Sequence, residues 1–308
     1  MSERVAAPSG DPKISFTDKD LPGVHGAANK ASDRGQKLYL ALSRIRLISL
    51  LAAAVAGALG IYRSSFDFFG LVIMISFITA AVTEAALIYF QPERNWYSGR
   101  AIAESTKTLA WRFAVQGEPF GPHLSEKDAE QHLSDRIRDV LKRGQDRIDI
   151  DPESDVVTDT MRNLRSASFA TRRASYIAYR TQDQRKWYSD NAQKNAKRAT
   201  FWRWALLVGE VVAVVIAILA FGRDISLDFA GIIAALVAAG AAWLAIKQHS
   251  QLASAYRVAT GELALQANAL NSIDDQHWPQ AVADAEEAIS REHTMWLASR
   301  GQEPIGKV

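Results

Sequence analysis

Two carboxylates, Glu84 and Glu210, lie inside long apolar blocks of the sequence. Glu84 comes seven residues before Gln91, which follows its block, and Glu210 comes seven residues after Arg203. At the rise of an α-helix both lie at a similar depth, about 10 Å inside one end of their blocks. A charged side chain within a membrane is costly and commonly marks an ion pathway, and rings of carboxylates favour cations. We therefore predict that Glu84 and Glu210 line a pore in an oligomer.

A structural interpretation of the same two carboxylates is also open. Each could form an ion pair with a basic residue near the same end of the block, such as Arg46 or Arg203, or contact a polar neighbour, or carry a proton. Under this alternative the carboxylates stabilise helix packing and conduct no ions. The sequence leaves both interpretations in place.

The elements that hold these carboxylates are four apolar blocks. The sequence is 48% hydrophobic and 23% charged on average, but the apolar residues concentrate in 47–62, 68–90, 204–222 and 229–246. A helix needs roughly 20 apolar residues to cross the hydrocarbon core of a bilayer, with some latitude. Only a few residues separate the first block from the second and the third from the fourth. We predict an all-α membrane protein with two transmembrane helical hairpins and long cytoplasmic helical extensions.

The distribution of basic residues predicts the orientation of the hairpins. Lys and Arg are frequent before the first and third blocks and after the second, whereas the short connections carry one arginine each, Arg63 and Arg223, beside aspartates. Basic residues near membrane-spanning helices favour the cytoplasmic side. The N-terminus, the C-terminus and the long segments are therefore predicted to be cytoplasmic, and the two connections to lie outside.

The polar segments predict the domain organisation. Residues 1–33 are rich in Ser, Gly, Pro, Asp and Lys and predict a disordered tail. The helix of the second block is expected to continue to about residue 115, since apolar residues recur at helical spacing. Ser125 and Asp128 resemble a capping box that begins an amphipathic helix. The predicted domains are a tail (1–33), a first two-transmembrane unit (34–120), a helical connector (121–170) and a second two-transmembrane unit (171–308).

Aromatic and charged residues recur at helical spacing beside both hairpins. In the first half they are Trp96, Tyr97, Arg100 and Trp111, and in the second half Arg180, Asp183, Trp187, Tyr188, Glu292 and Trp296. In this arrangement the chain resembles the SLATT family, two-transmembrane effector domains associated with SMODS nucleotidyltransferases and SLOG proteins in bacterial conflict systems. The two halves resemble two subtypes of the domain fused in tandem.

The resemblance implies a function that the residues alone do not. It implies a pore-forming effector of the bacterial inner membrane in antiviral defence, which acts as a homo-oligomer and depolarises the membrane. A cytoplasmic nucleotide signal or a sensor protein would gate it. The alternative is a membrane scaffold or sensor subunit that conducts no ions and recruits a soluble partner through residues 121–168.

The position of Glu292 in the apolar pattern predicts a contact between two of the cytoplasmic helices. It lies on the apolar face of its helix between Ile289 and Trp296. A carboxylate buried there without a partner would cost several kcal/mol, so we expect a cation to meet it. Arg180, on the aromatic face of the helix before the third block, is the predicted partner.

Other chemistry finds little support in the sequence. The basic residues at 186, 194, 197, 198 and 203 alternate with aromatics and could bind a nucleotide, although attraction to anionic lipid headgroups is the commoner role of such a cluster. The sequence has no cysteine, and its six histidines show no metal-ligand spacing. No phosphate-binding glycine loop or nucleophile elbow occurs. We predict no enzymatic activity, no cofactor, no metal and no nucleic-acid partner, with the lipid bilayer as the main contact.

Overall fold

The computed structural model of the protein describes residues 12–59, 67–142, 155–221 and 228–298, with side chains through Ser290. The described residues form helices and turns, without a strand. In chain order the helices are α1 (Gly23–Leu59), α2 (Phe68–Phe90), α3 (Pro92–Ala114), α4 (Glu126–Lys142), α5 (Asp159–Ser166), α6 (Phe169–Tyr176), a π-helical segment (Ile177–Gln182), α7 (Asp183–Ala220), α8 (Phe229–Lys247), α9 (His249–Ser272) and α10 (Trp278–Ala298).

Within the described residues, four helices are long and apolar enough to cross a membrane. They lie within Gly23–Leu59, Phe68–Ala114, Phe169–Ala220 and Phe229–Ser272. Helix α2 buries only the small residues Ser76, Ala80 and Thr83, and α8 buries none. Apolar helices with so little buried surface are stable where lipid covers them. The predicted all-α membrane fold is confirmed.

The chain divides into two compact units. One contains the described parts of 1–33, 95–189 and 257–308, and we call it the polar unit. The other contains the described parts of 34–94 and 190–256, and we call it the hairpin unit because it includes the apolar helices. Helices α1, α3, α7 and α9 each contribute residues to both units.

The second helix of each hairpin begins in the same way. Asp67 caps α2 by accepting a hydrogen bond from the Gly70 backbone N–H (2.8 Å), and Asp228 caps α8 by accepting one from the Gly231 N–H (2.7 Å). A Cβ atom at either glycine would overlap the capping carboxylate. The caps satisfy backbone donors at the helix start. The spacing Asp-x-x-Gly is therefore a shared signal for the start of both helices.

These two helices also end alike, at a glutamine in the left-handed conformation. Gln91 has φ 42° and Gln248 has φ 49°. The helix predicted to continue to about residue 115 does reach Ala114, but as two helices, because Gln91 separates α2 from α3. Pro92 disfavours the right-handed helical conformation at the preceding residue, which explains the break. The same break occurs at Gln248 without a following proline.

The core of the polar unit includes residues that composition assigned to the tail. Phe16, Leu21, Val24 and Ala28 are buried there, and the Phe16 ring meets Trp111 edge-on at 4.5 Å. The predicted disorder of residues 1–33 is therefore wrong from residue 12 onward. The apolar residues that anchor this segment are few and spaced apart, so a composition average over the segment conceals them.

Short helices close the polar unit around α3. The predicted amphipathic helix is α4, and Ser125 caps it by accepting from the Asp128 N–H (3.2 Å) while its hydroxyl donates to the Asp128 carboxylate (2.7 Å). Arg165 of α5 is buried and donates to the carbonyls of Phe113 (3.0 Å), Phe120 (2.7 Å) and Gly121 (3.3 Å). Its charge therefore lies near the carbonyl end of α3, where a cation is favourable.

Candidate functional site

Glu84 forms an ion pair within the first hairpin. Its Oε2 lies 2.6 Å from Nη1 of Arg46 on α1, and both side chains are 44% exposed. This is one of the pairings that the sequence left open. Since the cation comes from the neighbouring helix, the pair joins α1 to α2 and offsets the charge of the carboxylate within one chain. A pore-lining role for Glu84 stays a prediction.

Glu210 is in a different environment. It is exposed on α7, and no residue in the described part of the chain forms a hydrogen bond or an ion pair with it. The neighbouring Leu207, Val211 and Val214 are 46%, 54% and 57% exposed. The carboxylate therefore lies on an apolar helix surface that no described residue covers. In lipid such a charge is unfavourable unless water, a proton or another protein chain meets it.

The motif residues of the first half lie on α3 and are structural. Tyr97 is buried with its ring 4.8 Å from that of Trp96, whose carbonyl accepts a hydrogen bond from Ser32 (2.9 Å). Arg100 pairs with Glu104 of the same helix at 2.8 Å. These contacts attach α1 to α3 at the edge of the polar unit.

Trp111 is the motif residue at the centre of the polar unit. It is 2% exposed, and its ring contacts Phe16 on one side and Tyr176 on the other, at 4.5 and 5.6 Å. Tyr176 ends α6 in the second half of the sequence. Trp111 therefore joins the two halves of the sequence through edge-on aromatic contacts.

The motif residues of the second half do not all converge. Arg180 is buried in the π-helical segment, whereas Asp183 and Trp187 lie on the exposed surface of α7. Tyr188 is buried beside α9 and α10, where it lines a small cavity with Leu263 and Ile289. The motif therefore includes one buried charge, one buried tyrosine and a polar outer face.

Glu292 and Trp296 belong to α10, but their side chains lie outside the described residues. The predicted contact between Arg180 and Glu292 therefore stays a prediction. Arg180 donates from Nε and Nη2 to the two carboxylate oxygens of Glu286, at 2.8 and 2.6 Å. Glu286 lies on α10, six residues before Glu292.

Glu286 is the centre of a buried hydrogen-bond network that the sequence analysis missed. Besides the bidentate contact with Arg180, it accepts from the hydroxyls of Tyr176 and Thr108, both at 2.9 Å. Glu286 is fully buried and Arg180 is 1% exposed. A signal was present, because Glu286 follows Val282 by one helical turn and therefore shares its buried face.

The electrostatics keep this network charged. Burial alone would lower the pKa of Arg180, but the charge and hydrogen bonds of Glu286 outweigh it and raise that pKa. Burial, with the charge of Glu286, raises the pKa of the Tyr176 phenol well above its ordinary value. Arg180 is therefore a cation and Tyr176 a neutral donor across the physiological pH range. The network therefore holds α3, α6, the π-helical segment and α10 together by charge-assisted hydrogen bonds.

The buried arginine lies in unusual backbone. Ile177–Gln182 forms a π-helical segment directly before α7, whose later residues form the third apolar block. π-helical turns are rare and frequently occur at functional sites. The anchored network therefore lies next in sequence to a helix that enters the membrane.

Comparison with known proteins identifies related domains in both halves of the chain. The family profile described as SMODS and SLOG-associating 2TM effector domain 3 matches residues 22–173. The one described as SMODS and SLOG-associating 2TM effector domain 1 matches residues 176–296. The predicted connector, 121–170, lies inside the first match. Searches of curated proteins and of solved structures each gave no match.

Proposed function

Because the chain belongs to the SLATT family of two-transmembrane effector domains, with two subtypes in tandem, we propose that it oligomerises in the membrane into a cation-conducting pore. The family description supports a membrane effector. The observation that carries the finer proposal is Glu210, a carboxylate on the apolar surface of α7 that has no partner among the described residues. The proposal includes no enzymatic step.

An assembly of several copies would resolve the unfavourable position of Glu210. No residue in the most apolar part of α7 or of α8 is fully buried in the single chain. If α7 helices of neighbouring copies meet around an axis, the Glu210 carboxylates form a ring in contact with water. Such a ring attracts cations and removes the cost of an isolated charge in lipid. Glu84, already paired with Arg46, contributes less.

The polar unit is the proposed receiver of the activating signal. It adjoins α7 through the π-helical segment, and a change in that segment would alter how α7 enters the membrane. The proposed trigger is a nucleotide or a sensor protein of a bacterial conflict system. Depolarisation of the inner membrane would then arrest or kill an infected cell.

Potential-sensitive dye fluorescence in bacteria that express the full chain tests conduction. Wild-type expression is expected to depolarise the membrane, and E210Q to reduce the depolarisation, since glutamine keeps the shape and removes the charge. The E84Q/E210Q double variant should add little to E210Q. E287Q, at an exposed site of the polar unit, is the control. All variants are compared at equal membrane abundance.

Two outcomes would count against the pore. A polarised membrane at every level of wild-type expression would favour the scaffold alternative, in which residues 121–168 recruit a soluble partner. Equal depolarisation by wild type and E210Q, with equal cation preference in planar bilayers, would remove Glu210 from the conduction path.

The orientation is proposed from the basic residues: the termini and the polar unit lie in the cytoplasm, and the hairpin connections lie outside. The chain has no cysteine, so single cysteines report unambiguously. S65C and S226C are expected to react with an impermeant thiol reagent in intact spheroplasts, and S125C to react only after lysis. Labelling of S125C before lysis would reverse the topology.

A further inference from the structure

Trp243, near the end of α8, has two cations close to its ring. The guanidinium carbon of Arg44 on α1 is 5.3 Å from the centre of its ring, and the ammonium of Lys247 is also 5.3 Å from it. A cation at this distance is attracted by the ring face. Aromatic rings contribute no negative charge, however, so the two cations remain uncompensated.

Arg198 adds a third cation to this cluster, and no carboxylate among the described residues joins it. The charges that act on Lys247 are those of Arg198 and Arg44, and those that act on His249 are Arg198 and Lys247. Within the described ranges, no acidic side chain forms an ion pair with Arg44, Arg198 or Lys247. Arg44 and Arg198 are exposed and Lys247 is half-buried. Like charges held close together repel, and an anion would relieve that repulsion.

The cluster is held in place by a buried contact. His249 and Asn195 are 5% and 8% exposed, and His249 Nδ1 lies 2.7 Å from Asn195 Oδ1. This hydrogen bond fastens the start of α9 to α7. Since Arg198 follows Asn195 by one turn and Lys247 precedes His249 by two residues, the bond fixes the positions of both cations.

We propose that Arg44, Arg198 and Lys247, with Trp243, bind the phosphate of an anionic phospholipid headgroup. All three cations lie close to ends of apolar blocks: Arg44 precedes the first, Arg198 the third, and Lys247 follows the fourth. Exposed apolar side chains continue from the cluster along the helices, as at Ile48 and Phe201, which are 58% and 67% exposed. Acyl chains fit that surface, whereas a free phosphate would leave it uncovered.

The site requires a membrane-spanning chain but not a conducting one. It is therefore independent of whether Glu210 lines a pore. Basic pockets between membrane helices recognise lipid headgroups by charge, and Trp is favoured at the level of the headgroups. A soluble nucleotide offers the same phosphate chemistry without the acyl chains, and the experiment separates these two sources.

Native mass spectrometry of the full chain from nanodiscs containing phosphatidylcholine and phosphatidylglycerol tests the site. Wild type is expected to retain phosphatidylglycerol preferentially. R44Q/K247Q should bind it about thirtyfold more weakly, since each basic side chain near an anionic surface contributes about fivefold. K194Q/K197Q is the matched control, because both lysines are exposed on the same helix as Arg198 and have no contact with Trp243. Circular dichroism verifies that each variant is folded, and the milder R198Q substitutes if the double variant is not.

Two results would overturn the proposal. An equal loss in K194Q/K197Q would mean that the membrane-proximal charge acts as a whole and that no specific site exists. Displacement of phosphatidylglycerol by millimolar ATP or inorganic phosphate, or equal binding of these to protein in phosphatidylcholine alone, would assign the cluster to a soluble phosphate. Retention without displacement, lost only in R44Q/K247Q or R198Q, supports a lipid site.

Discussion

The polar unit and the hairpin unit compensate their charges in different ways. In the polar unit the buried Glu286 accepts four hydrogen bonds, two of them from Arg180, and the buried Arg165 donates to three backbone carbonyls. In the hairpin unit Glu84 has a partner, but Glu210 has none among the described residues. The cations around Trp243 likewise meet an aromatic ring in place of a carboxylate.

This difference indicates what each unit needs from its surroundings. Uncompensated charge is tolerated only where water, lipid headgroups or another chain supplies the missing contact. In the polar unit the buried charges of Glu286, Arg180 and Arg165 meet partners from within the unit, although single atoms such as Arg180 Nη1 have none among the described residues. The hairpin unit supplies some of the contacts that its charges need, so its final arrangement depends on the bilayer and on neighbouring copies.

The largest expected effect is at Glu286. E286Q leaves the charge of Arg180 buried without its counterion, so the free energy of unfolding of the polar unit should fall by about 3–5 kcal/mol. Urea titration with pulse proteolysis measures it. The neighbouring, exposed Glu287 provides the control variant E287Q, which should change stability little. Equal effects of the two variants would show that the buried pair of Arg180 and Glu286 does not stabilise the polar unit.

A smaller effect is expected where the polar unit packs backbone against backbone. A Cβ at Gly99 would lie 2.8 Å from the Ser32 nitrogen and 2.9 Å from the Ala28 oxygen. G99A should therefore destabilise the unit by about 1–3 kcal/mol, because backbone atoms cannot rotate away. Gly57, in the hairpin unit, has nothing within 4 Å of such an atom. G57A should be neutral or stabilising, and a loss in G57A as large as in G99A would remove this contrast in packing.

The smallest expected effect compares the two membrane carboxylates. R46Q leaves Glu84 without its cation and should lower the stability of the hairpin unit by about 1 kcal/mol, the usual size of a polar contact between membrane helices. E210Q removes a charge that has no described partner, so it should cost nothing. Thermal unfolding in nanodiscs, followed by limited proteolysis, compares the variants. A greater loss in E210Q than in R46Q would indicate a contact that Glu210 makes only in the assembled protein.

Much of the fold followed from sequence because long-range order is not needed to recognise an apolar block. The spans and the amphipathic α4 have a period that local sequence defines. The N-terminal segment escaped prediction because its anchoring residues, such as Phe16, become apolar contacts only when α3 is present. The break at Gln91 was indicated by Pro92, but the apolar spacing that follows it suggested continuity.

The candidate site was less predictable, since pairs between distant helices decide it. Arg46 and Arg203 were equally placed in sequence to meet a membrane carboxylate, and only the packing of α1 on α2 selects Arg46 for Glu84. From the sequence, Glu292 on the last helix is the carboxylate expected to meet a cation, and Arg180 is the predicted cation. In the structure Arg180 meets Glu286, six residues before Glu292 on α10, because the packing of two helices sets their register and the periodicity of one helix does not.

The shared core of the polar unit has a consequence for how such genes can recombine. The two matched regions meet between residues 173 and 176, yet Trp111 of the first contacts Tyr176 of the second, and Trp278 donates to the Val115 carbonyl at 2.8 Å. Exchange of one half with a relative would pair surfaces that had not evolved together. It would also remove the hydrogen bond from Thr108 to Glu286. Although the sequence contains two family domains, we expect the two halves to be inherited together.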